Sequence, residues 1–97
     1  MANALVSIQI LPKTKNNEDV IPYVDRAIAV IAESGVKHLV SPLETTMEGE
    51  LDDLLGIIQK MHDAMIEMGS TNVISQVKIY YNPSGASMDK LTEKYRP

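Results

Sequence analysis

Apolar and polar residues alternate from Ala4 to Leu11, with Ala4, Val6, Ile8 and Ile10 on one side and Leu5, Ser7, Gln9 and Leu11 on the other. A period of two predicts a strand, here with one wholly apolar face. Pro12 to Asn17 is polar, holds a proline and two asparagines, and predicts a loop. Asp19 is then placed to cap a helix, and Pro22 falls in its first turn, where backbone N–H groups lack intrahelical partners. Ile21, Val24, Ile28 and Ile31 recur at helical spacing and predict one buried stripe, with Gly35 as the stop.

Lys37 to Pro42 reads as a second, short strand. Pro42-Leu43-Glu44 is short enough to turn it directly into a third, Thr45 to Glu50, as an antiparallel hairpin. A second helix begins at about Leu51, with Glu50, Asp52 and Asp53 near its N-terminus, where the helix dipole favours anions. Leu51, Leu54, Leu55, Ile58, Met61, Met65 and Met68 carry its stripe to Gly69. Val73 to Tyr81 alternates again as a fourth strand, with Val73, Ser75, Val77 and Ile79 opposed to Ile74, Gln76, Lys78 and Tyr80. The turn residues Asn82-Pro83-Ser84-Gly85 lead to a short helix that Ser87 can cap, running to about Tyr95 and docked through Met88 and Leu91.

Strand-helix-strand followed by strand-helix-strand predicts an α+β, ferredoxin-like βαββαβ sandwich, with residues 1–97 as one domain. Right-handed crossovers place the first and third strands at the centre of a four-stranded antiparallel sheet, with both long helices on one face. The covered face is the more apolar one, because burying an unpaired polar group costs about what burying an aliphatic side chain gains. Ala4, Val6, Ile8 and Ile10 therefore point at the helices, while Ser7 and Gln9, with Gln76 and Lys78 of the last strand, point at the open face. If Met47 packs under the helices, alternation adds Thr46 and Glu48 to that cluster. Leu5, Leu11 and Ile74 lie among these polar groups, so the face suits partial burial by a second subunit, a small ligand or both.

Composition narrows the chemistry. Of the 97 residues, 44% are hydrophobic and 23% charged, as in soluble globular chains. Nine basic against thirteen acidic side chains give a net charge of −4, which argues against the positive face that nucleic acid needs. With no cysteine, disulfides and thiolate chemistry are excluded. No apolar run approaches the roughly 18 to 20 residues of a membrane span, and Met1-Ala2-Asn3-Ala4 lacks a charged leader region, so the expected location is cytoplasmic and no membrane partner is expected.

Neither histidine has a second histidine beside it; His38, in the second strand, can face the open side, and His62 reads as structural. Glu44, Glu48, Glu50, Asp52 and Asp53 run along a strand and onto a helix end and should not converge on a metal. No nucleophile-base pair, phosphate-binding glycine loop or H-E-x-x-H motif is present, so no cofactor, metal or catalytic residue is expected.

The stretch Ser34-Gly35-Val36-Lys37-His38, followed by Ser41-Pro42-Leu43-Glu44-Thr45-Thr46-Met47-Glu48-Gly49-Glu50, resembles the small proteins of the YkoF-like thiamine-binding family. There an S-G-hydrophobic stretch leads into a strand, then P-hydrophobic-G-T-x-x-E-G and an acidic helix start. Thr45, Glu48 and Gly49 match; Glu44 stands where the family has glycine, and Tyr80-Tyr81-Asn82-Pro83 replaces a more charged strand exit. The resemblance implies a homo-oligomer, dimer or tetramer, that binds thiamine or its hydroxymethylpyrimidine part without catalysis.

An aminopyrimidine presents an amino donor beside ring nitrogens, which a strand-held carboxylate such as Glu48 and hydroxyl or amide groups can satisfy. The expected ligand-binding residues are Glu48, Thr45, Thr46, Ser7, Gln9, Lys78 and His38. Thr45 and Thr46 cannot both face one site on a regular strand; the family pattern favours Thr45, alternation from Glu48 favours Thr46. Two other readings stand beside this one: a small dimeric enzyme with His38 or Glu48 as general base, and a module that only assembles.

Overall fold

The computed structural model describes residues 2–95. Strand β1 (Ala4–Pro12) leads to helix α1 (Ile21–Glu33), then β2 (Lys37–Val40), β3 (Thr45–Gly49), helix α2 (Leu51–Glu67), β4 (Val73–Tyr81) and the short helix α3 (Met88–Thr92). The sheet runs β2-β3-β1-β4 with every pairing antiparallel, so β1 and β3 are central as expected for a ferredoxin-like fold.

Local chemistry sets the boundaries. In the β1–α1 loop, Asn16 and Asn17 take φ of 50° and 59°, a left-handed conformation that asparagine tolerates better than most residues. Asp19 caps α1 from one position further out than a regular cap, its Oδ1 accepting the Ile21 N–H at 3.0 Å. Strand β2 ends at Val40, two residues earlier than the sequence suggests, because the Ser41 N–H turns back to the Glu44 carbonyl and Pro42 has no N–H for a ladder. The start of α2 is closed from outside: Asn3 Oδ1 accepts the Leu51 N–H at 2.9 Å.

Ala4, Val6, Ile8 and Ile10 of β1 enter one core with Met47 of β3 and the inner faces of both long helices. The α1 stripe is rotated from the expected one. Tyr23, Ala27, Val30 and Ile31 are buried, whereas Ile21 is exposed and Val24 and Ile28 are half-buried. Ala27 is fully buried at the middle of that face, and Tyr23 buries its ring while its hydroxyl reaches Glu18 and the Met68 carbonyl. In α2, Leu54, Ile57, Met61, Ala64 and Met65 are buried, and Leu55 turns outward. His62 joins α2 to β4, with Nδ1 2.7 Å from the Ile58 carbonyl and Nε2 3.0 Å from Ser75 Oγ.

The sheet face opposite the long helices is not wholly open. After β4 the chain crosses it, and Ala86 and Met88 bury Leu5 in a second small cluster. Ser87 Oγ accepts the Lys90 N–H, the expected cap of α3, and Met88 supplies the expected docking contact; Leu91 remains exposed.

Candidate functional site

Strand register decides which side chains share the open face, because residues directly opposite in an antiparallel pair point the same way. One row across the sheet is Lys37, Glu48, Leu5 and Tyr80; the next is Leu39, Thr46, Ser7 and Lys78; a third joins Gln9 to Gln76. Ser7, Gln9, Thr46, Glu48 and Lys78 are therefore gathered on one face.

Thr45 and His38 are not. Thr45 lies opposite Ile8, and His38 opposite Met47, on the helix-covered side. His38 cannot look onto the open face as the sequence allows, because Lys37 takes that parity in β2; its Nδ1 lies 2.9 Å from the Val36 carbonyl. Of the two threonines, Thr46 is the one beside Ser7.

Two adjoining recesses occupy this face. The smaller, about 240 Å³, is lined by Leu5, Ser7, Glu44, Thr46, Lys78 and Tyr80. At its edge Lys78 Nζ pairs with Glu44 Oε1 at 3.3 Å, which offsets the lysine charge. Ser7 at its floor is only 8% exposed, and its hydroxyl has no hydrogen-bond partner among the described residues. The larger recess, about 560 Å³, lies between the sheet and the C-terminal crossing, with Glu48, Tyr80, Ser87 and Lys90 in its wall. Tyr80 lines both recesses.

Glu48 is half-buried and partly committed: Oε1 accepts the Met88 N–H at 2.8 Å, leaving Oε2 for another donor. The acidic residues from Glu44 to Asp53 diverge, Glu44 toward Lys78, Glu48 toward Met88, and Asp52 and Asp53 onto the first turn of α2. No group of three or more metal-ligating side chains converges among the described residues.

Sequence reasoning put Tyr80 on the same side as Lys78, at the end of an edge strand where it can rim a pocket, but left Glu44 and Lys90 out of the site. Glu44 was legible, since it shares the parity of Thr46 and Glu48. Lys90 was not, because only the path of the tail across the sheet brings it there.

Known proteins can now be set beside this geometry. The family model described as thiamine-binding protein matches residues 6–96. A UPF0045 protein of Clostridium perfringens is 47% identical over 91 residues, which cover 94% of this chain and 95% of that one. The solved structure of a domain of unknown function, DUF77, from Bacillus cereus superposes with a TM-score of 0.90 at 38% identity, covering 98% of this chain and 92% of that one. A putative thiamine biosynthesis/salvage protein from Thermotoga maritima gives a TM-score of 0.86 at 26% identity, with 97% and 99% covered. On the match along nearly its whole length, this chain belongs to the thiamine-binding protein family.

Proposed function

We propose that this protein is a cytoplasmic homo-oligomer that binds thiamine or its hydroxymethylpyrimidine part on the open sheet face, without catalysing a reaction. The observation that carries the reading is the gathering of Ser7, Thr46 and Glu48 on one face of the two central strands, where Ser7 and Thr46 line a recess. Family membership names the ligand class.

In this reading Glu48 Oε2 accepts the amino group of the pyrimidine, and Ser7 and Thr46 meet its ring nitrogens. Gln9 and Lys78 stand at the margin, the lysine charge offset by Glu44 so that it does not repel a thiazolium. The net charge of −4 attracts that cation weakly. His38 and Thr45, on the other side of the sheet, have no part in it, and a base at His38 could not reach a substrate held at Ser7.

The oligomer is supported by β4. Its nine residues pair with β1 on one side only, and the strand exposes Ile74 and Tyr80 on one face and Val77, Ile79 and Tyr81 on the other. A long edge strand that exposes apolar side chains on both faces, with Lys78 as its only charge, is a template for pairing with another copy. A second subunit there would close the shallow recess beside Tyr80.

Titration calorimetry with thiamine and with hydroxymethylpyrimidine tests the reading. Saturable binding weakened about tenfold or more by Ser7→Ala, Thr46→Val or Glu48→Gln is expected. Glu48→Gln keeps an acceptor for the Met88 N–H, so its loss of affinity reports the carboxylate and not the tail. Full affinity in all three variants would place the ligand elsewhere, and no binding of either compound would end the reading.

A further inference from the structure

We propose that β4 pairs with β4 of a second copy about a two-fold axis at Val77, so that Ile74 of the second copy completes the recess beside Tyr80. The proposal rests on the reading of this sheet face as the binding site of a homo-oligomer, and it names what the second copy adds to that site.

The backbone shows which groups are available for pairing. At the two ends of the β1–β4 ladder, the Lys13 N–H donates to the Asn72 carbonyl and the Asn82 N–H to the Asn3 carbonyl. Residues of an antiparallel strand bond alternately to one side and to the other, so along the unbroken register between these ends the even-numbered residues of β4 bond to β1. Val73, Ser75, Val77, Ile79 and Tyr81 therefore turn their N–H and C=O groups to the free edge of the sheet.

Side chains then select the register. Opposite residues of a two-fold pair share a face, so the axis must pass through a residue of the strand. With the axis at Val77 all nine residues of β4 pair, Ile74 stands opposite Tyr80, and Gln76 stands opposite Lys78, the one charge of the strand. An axis at Lys78 sets that charge against its own copy, which is destabilising, and an axis at Gln76 leaves Tyr80 beyond the ladder. The helix side fits the same choice. Val77, Ile79 and Tyr81 are exposed there while Val73 and Ser75 are half-buried, so each copy lays its uncovered Ile79 and Tyr81 opposite the covered Ser75 and Val73 of the other. On the open face Tyr80 lines both recesses, and Ile74 of the second copy gives them an apolar wall.

The chain has no cysteine, so introduced thiols report the register directly. Oxidised without ligand, Val77→Cys should give a disulfide-linked dimer, because its two Cα atoms would lie about 5.5 Å apart. Ile74→Cys and Tyr80→Cys should each stay unlinked alone, with like positions roughly 20 Å apart, and should link when the two variants are co-expressed. On the linked Val77→Cys dimer, Ile74→Ala should weaken thiamine binding about threefold. Linking of Val77→Cys no faster than that of the exposed Leu43→Cys, ready linking of Lys78→Cys alone, or failure of the mixed pair overturns the proposal. Unchanged thiamine affinity in Ile74→Ala overturns it as well. If thiamine binds nowhere, the binding reading fails while the cross-links still decide the pairing.

Discussion

Glu48 Oε1 holds the backbone N–H of Met88 at 2.8 Å, a contact between residues forty positions apart that ties the centre of the sheet to the C-terminal crossing. The same crossing is held by Leu5 against Ala86 and Met88, by the Ala86 N–H on the Ala2 carbonyl, and by the ion pair of Lys37 with Asp89. Glu48→Ala should cost about 1–3 kcal/mol, the range for a hydrogen bond to a charged group in a partly buried place. Amide exchange at Met88 should accelerate in that variant and stay slow in Glu48→Gln, whose amide oxygen still accepts. Unchanged exchange at Met88 in Glu48→Ala would mean that the apolar contacts alone hold the tail.

Gly69 closes α2 with φ of 110°, and a side chain there would run into Lys15 Cε. The lysine is the far end of a flexible side chain and can move away; the backbone angle cannot. Gly69→Ala should therefore destabilise the protein by about 1–3 kcal/mol. Adding Lys15→Ala should recover little of this. Rescue by the second substitution in thermal unfolding would show that the clash, and not the backbone, was the cost.

Tyr23 has its phenol pKa raised, first by removal from water and then by the Glu18 carboxylate that its hydroxyl reaches at 3.3 Å. A group whose pKa is higher in the folded state gives its full stabilisation below the unfolded value, about 10 for tyrosine, and loses it as pH rises through the folded value. The wild type should lose stability above about pH 10 more steeply than Tyr23→Phe. Parallel profiles of the two proteins would remove Tyr23 as the cause.

Val77 and Ile79 put their side chains on the helix side of β4, where α2 leaves them exposed. Lysine at both positions touches no core contact, so the monomer should fold while self-association through this edge is lost. Sedimentation should show the wild type as a dimer or larger and the Val77→Lys, Ile79→Lys double variant as a monomer. The same assembly in both proteins would move the seam away from β4.

Alternation in β1 and β4 was enough to sort Ser7, Gln9 and Lys78 from Ala4, Val6 and Ile8, because a strand has only two sides and the apolar one must be covered. In α1 the periodicity marked the helix but mistook its inward face. Helical spacing allows neighbouring stripes, and the sequence does not say whether Tyr23 or Ile21 fits better against the sheet. The same limit applied in β2, where four residues flanked by a turn left the parity of His38 open.

Local pattern alone determined the order of elements, the central place of β1 and β3, and the polar character of the second sheet face, since these follow from periodicity, glycine and proline chemistry and the cost of burying polar groups. Only the tertiary structure decided that Thr46 and not Thr45 stands beside Ser7, that Glu44 pairs with Lys78, and that Glu48 is shared with the tail. Each of these depends on the register or on contacts between segments distant in the chain. Register is selected by the packing of whole faces against one another, which no short stretch of sequence contains.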